Sequence, residues 1–165
     1  MSNILTSGEG IPGWGKAVLY IGGLGLTAVI GYKIYQGVTK KIKSLDDFKE
    51  TGAVKDELKN LADAGIKPTM SDDKYLTKAN QMHTAMDGYG TNVPAIISVV
   101  GTLNNDADML ALIKAYGVKT ISSGKFNPEP DFTGTLPSSF TNELNQFDTN
   151  LVNGALEKRK LKYRI

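Results

Sequence analysis

Few residues in this chain combine a reactive type with the spacing that catalysis requires. His83 is the single histidine, so histidine-based metal sites and triads are excluded. The serine pairs Ser122-Ser123 and Ser138-Ser139 have no histidine in their local patterns, and a hydroxyl without a base is a weak nucleophile. There is no cysteine, which removes thiolate metal ligation and any disulfide framework. Glu143 and Glu157 fall on helical patterns with no sign of an acid–base pair, although a glycan-cleaving site needs only one well-placed glutamate. The expectation is a protein that is not an enzyme. A net charge of +2 is too small to argue for nucleic acid by itself.

Location is better signalled than chemistry. Residues 17–38, AVLYIGGLGLTAVIGYKIYQGV, hold one charge, Lys33, and one amide, Gln36. A helix of that length spans roughly 33 Å, close to the hydrocarbon thickness of a bilayer. The pattern predicts one transmembrane helix over 16–39. Its interfacial anchors would be Trp14, Tyr20, Lys33 and Tyr35, with the Lys33 ammonium reaching the headgroups. Gly23, Thr27 and Gly31 repeat at i, i+4, i+8 and form a small-residue ridge suited to helix packing or self-association in lipid. In water, the five glycines of this run would each cost a helix about 1 kcal/mol relative to alanine. A cleaved leader is disfavoured, because only Glu9 is charged before Lys16 and no small-residue cleavage motif comes after the run. Residues 1–15 read as a flexible arm. Lys40, Lys41 and Lys43 outweigh Lys16, which puts the C-terminal side in the cytoplasm.

Behind the run, 40–70 reads as a charged helical connector with Val54, Leu58 and Leu61 on a narrow stripe, either a stalk or a helix packed on the domain behind it. Residues 71–165 read as an all-α domain. Ser71 caps a helix to about Met86, Thr91 or Asn92 caps one from Val93 to Leu103, and a third runs from Asp106 to Tyr116 before Gly117. Residues 118–137 read as a loop or a short hairpin, KTISSGKF. A last helix from Ser138 or Ser139 would bury Phe140, Leu144, Phe147 and Leu151. The tail after Gly154, rich in Lys and Arg, reads as a solvated basic helix end, with a contact to anionic lipid or nucleic acid as the alternative.

The block MHTAMDGYGTNVPAIISVVGTLNNDADMLALIKAYG resembles one annexin repeat, with Gly88-Tyr89-Gly90-Thr91 in place of that family's G-x-G-T loop. The C-terminal half is also similar to annexin-like segments in structural proteins of bacterial viruses. It carries Leu136-Pro137, Glu143-Leu144, Val152-Asn153, Leu156 and Tyr163-Arg164-Ile165. The annexin resemblance implies a calcium site in which carbonyls of Gly88 and Gly90 share the ion with an acid near Glu129 or Asp131. Alternatively, the two glycines simply supply positive φ at a helix–helix turn.

Together these readings give an all-α chain: one N-terminal transmembrane helix and a small annexin-like helical bundle. The function expected is a minor virion protein joining the internal membrane of a bacterial virus to its capsid shell or a vertex complex. It would reside in that membrane, and in the host's cytoplasmic membrane before assembly. Its partners would be the bilayer and shell proteins, with nucleic acid disfavoured and calcium the one cofactor considered. A calcium- or lipid-responsive envelope module and a holin-like pore former are the alternatives.

Overall fold

The computed structural model describes residues 43–48, 51–123 and 130–165. Six α-helices and four short strands are described. The elements are β1 (Lys43–Ser44), a 3-10 turn (Leu45–Phe48), α1 (Thr51–Asp63), α2 (Asp72–Met86), α3 (Val93–Val100) and α4 (Asp106–Tyr116), then β2 (Val118–Ile121), β3 (Phe132–Thr135), α5 (Leu136–Glu143), α6 (Gln146–Lys158) and β4 (Tyr163–Arg164).

Helix α4 is the centre of the fold. Nine of its eleven residues are buried, and α1 and α2 both pack on it. Its start is set by Asn105, whose Oδ1 accepts from the Asp108 amide at 2.9 Å. Its end is set by Gly117, at φ +61, where an L-side chain would be strained. Helix α3 lies on α2 and against α6. The Asn92 side chain caps α3 by accepting from the Ala95 amide at 3.1 Å, and Pro94 occupies the first turn, where its missing N–H costs nothing. Helix α1, read from sequence as part of a connector, takes the packed alternative. Val54 and Leu61 are buried in the same core as α4, and the Ile66 amide reaches back to the Leu61 carbonyl at 2.8 Å.

The expected fold class needs correction. The described chain is mostly helical, but its strands form two two-stranded sheets: β1 parallel to β4, and β2 antiparallel to β3. No described helix is long and apolar enough to cross a membrane. The longest, α2, has 15 residues, about 22 Å, and mixes charged with apolar positions. The arm at 1–15, the span drawn over 16–39, its anchors Trp14, Tyr20, Lys33 and Tyr35, and the Gly23, Thr27 and Gly31 ridge all lie outside the described residues.

Three local expectations also change. Strand β2 pairs not within KTISSGKF but with β3, in the register Val118↔Thr135 and Ile121↔Phe132. The last helix is two helices, because Asn145 Oδ1 accepts from the Phe147 and Asp148 amides and starts a new one. The stripe drawn across that break is therefore misphased: Val152 and Leu156 are buried, whereas Phe147 is 69% and Leu151 42% exposed. The basic tail is solvated only in part, with Lys158 and Lys160 exposed. Leu161, Lys162 and Tyr163 are buried, and Arg159 donates to the Leu103 carbonyl at 2.7 Å.

Candidate functional site

The loop between α2 and α3 builds the most specific cleft. Past Met86 the chain must reverse, and two residues take positive φ, Gly88 at +101 and Gly90 at +81. Only backbone conformation demands glycine there, since a Cβ at either position would meet nothing within 4 Å. The loop is pinned on three sides. The Gly88 amide donates to the Ser122 carbonyl at 3.0 Å, and the Asn92 amide to the Ala85 carbonyl at 2.7 Å. The Thr91 hydroxyl lies between the Glu143 carbonyl, at 3.3 Å, and the Glu143 carboxylate, at 3.2 Å. Against this loop stand the start of β3 and the end of α5, enclosing a cleft of about 380 Å³ lined by Gly88, Tyr89, Gly90, Phe132, Asn142 and Glu143 among others.

Of the four residues implied as calcium ligands, the structure brings Gly88 and Gly90 together. Glu129 lies outside the described residues. Asp131 spends its Oδ1 on the Ser123 amide at 3.1 Å, as Asp87 spends its own on the Ser122 amide at 2.8 Å. Among the described residues, Glu143 brings a carboxylate to the loop, where the Asn142 side-chain amide also donates to it at 2.9 Å. Among the described residues no group of three or more histidines or carboxylates is arranged to hold a metal ion. Asp87 and Glu143 both act on Tyr116. Burial pushes its phenol upward, the bond to Ser139 offsets this in part, and the two negative charges push the same way as burial.

Other reactive types are spent on structure. Ser139 is fully buried, with its hydroxyl 3.2 Å from that of Tyr116, and Ser138 pairs with Thr135 at 3.2 Å. His83 is half-buried, its ring edge-on to Tyr116 with centroids 6.3 Å apart.

Two buried polar clusters were not foreseen. In one, the Asp108 carboxylate accepts from the Thr69 amide (2.6 Å), the Thr69 hydroxyl (2.8 Å), the Asn104 amide (2.7 Å) and the Tyr75 phenol. Burial alone would raise Asp108, but those donors outweigh it and hold the carboxyl below its ordinary range. Burial and the bond to Asp108 push Tyr75 up to about 12. In the other, Lys162 Nζ stands 3.8 Å from both Glu57 and Asp106, and the Lys162 amide donates to Asp106 at 2.9 Å. Lys162 joins the tail to α1 and α4. Neither cluster is visible as spacing, because each joins residues tens of positions apart.

Comparison with family models, curated proteins and solved structures finds no match to this chain.

Proposed function

We propose that this chain is a structural attachment protein of a bacterial virus that contains a membrane. In this reading the chain is held at the internal membrane, and the helical domain binds the shell or a vertex complex. The observation that carries it is how the chain enters the domain. Lys43 and Ser44 pair in parallel with Tyr163 and Arg164, and the next turn buries Leu45 and Phe48 completely or nearly so. The edge of Phe48 meets the ring of Tyr163 at 5.3 Å between centroids. In this reading a pull on the chain ahead of Lys43 would be borne by the core through Leu45 and Phe48 and by the tail strand paired with β1. Such rigid coupling suits a part that transmits position and load.

Flotation of the particle's membrane after gentle removal of the shell tests this reading. The chain is expected to float with the lipid. Recovery with the soluble shell proteins alone would contradict membrane attachment.

A second reading, a calcium- or lipid-responsive module, draws on the positive-φ glycines facing the Glu143 carboxylate. It predicts calorimetric heat with calcium that is lost in Gly90→Val. An absence of heat in the wild-type chain removes it.

A further inference from the structure

Charge is unevenly distributed along the described chain. Residues 79–113 and 131–157 contain no lysine or arginine, yet they carry Asp87, Asp131, Glu143, Asp148 and Glu157. These stretches build α3, α5, α6 and the Gly88–Gly90 loop, while all nineteen basic residues lie elsewhere in the chain. The same stretches leave large apolar side chains in water. Tyr89 is 91% exposed, Phe147 69% and Leu151 42%. Leu151 and Phe147 lie about 100° and 140° around α6 from Val152, so α6 has a second apolar side that its own core does not use.

Helices α3 and α6 run side by side in the same direction. Thr91 and Glu143 meet just before their starts, and Arg159 joins the Leu103 carbonyl just beyond their ends. Tyr89, Phe147 and the cleft holding Glu143 therefore lie at one end of the domain. A carboxylate in a cleft beside exposed aromatic and aliphatic side chains calls for a cation next to apolar groups. Phosphate-bearing surfaces are disfavoured there, because the charged side chain in the cleft lining is the Glu143 carboxylate.

We propose that this end is a docking surface for a protein segment that carries a lysine or arginine beside aliphatic residues, with the cation at Glu143 and the aliphatic groups over Phe147 and Leu151. The proposal rests on the attachment reading and names the chemistry of the shell-side partner. A surface of this kind draws on charge for encounter and register, and on the two apolar side chains for residence.

The test uses the full-length chain and two labelled amphipathic peptides of equal length, one of Lys and Leu and one of Glu and Leu, followed by fluorescence anisotropy. The Lys/Leu peptide is expected to bind, to weaken as salt rises, and to bind about tenfold more weakly to Glu143→Gln and to the double variant Phe147→Ser/Leu151→Ser. Phe147 and Leu151 are exposed, so the double variant should keep the wild-type melting curve, which separates lost binding from lost folding. Equal binding of both peptides, undiminished binding by the variants, or dependence on added calcium overturns the proposal. So does finding that Phe147 and Leu151 drive self-association or vesicle binding in place of peptide binding. Because the assay needs no particle, its failure leaves the flotation result standing, and a failed flotation leaves this result standing.

Discussion

Asp108 contributes to this fold mainly by what it accepts. It is fully buried and takes four hydrogen bonds from Thr69, Asn104 and Tyr75. Asparagine would turn a donor toward one of those donors, so Asp108→Asn should cost about 3 kcal/mol by urea denaturation. Its carboxyl protonates near pH ~4 in the unfolded chain and lower in the fold. Its stabilisation is therefore complete above that value and is lost as pH falls through the folded one, where the unfolded chain binds more protons. The acid limb of a stability–pH curve should be shallower in Asp108→Asn; an unchanged limb would assign the acid sensitivity elsewhere. Tyr163 is the reverse case: its hydroxyl is buried with no hydrogen-bond partner among the described residues, and burial drives its phenol upward. Tyr163→Phe should leave stability unchanged or raise it by about 1 kcal/mol in the same assay. Sequence pattern narrowed the start of α3 to Thr91 or Asn92, because capping is a local matter of a few residues, and left the Asn105 cap of α4 unassigned. It was silent on Asp108 and Lys162, whose partners are fixed only by packing.

At the level of elements, Lys162 ties the residues just before β4 to α1 and α4, and the β1–β4 pairing is expected to weaken without it. This lysine is 5% exposed, between Glu57 and Asp106 and with its ammonium 5.6 Å from the Tyr163 ring centroid. Lys162→Met leaves two acids without their shared cation and should cost about 3–5 kcal/mol. Amide exchange should quicken first around Ser44 and Arg164, whose backbones that pairing joins. Uniform acceleration across all helices would show instead that the pairing does not open on its own. The helices α2, α3 and α4 were readable from periodicity and end signals. The break at Asn145 was not, because Leu144 and Phe147 sustain a helical spacing across it while the Asn145 side chain starts a second helix. That misphasing is why Phe147 and Leu151 read as core although they face solvent.

Among the described residues, the domain combines a paired entry at β1–β4 with an end at the Gly88–Gly90 loop that carries Tyr89, Phe147 and Glu143. The charge bias of residues 79–113 and 131–157 is present in the sequence but stands out only once the fold groups those stretches. Sequence alone could not display that α3 and α6 run in the same direction and gather Tyr89, Phe147 and Glu143 at one end. The resemblance to an annexin repeat directed attention to the Gly88–Gly90 loop and to acids near Glu129 and Asp131, but a spacing rule cannot see that α5 brings Glu143 to Thr91. The attachment reading is tested most directly inside the assembled particle, with a photoreactive phenylalanine analogue in place of Phe147. Irradiation should yield an adduct between this chain and a shell or vertex protein, with the linked peptide containing lysine or arginine. Adducts only to lipid, only to another copy of the chain, or to nothing at all would contradict it.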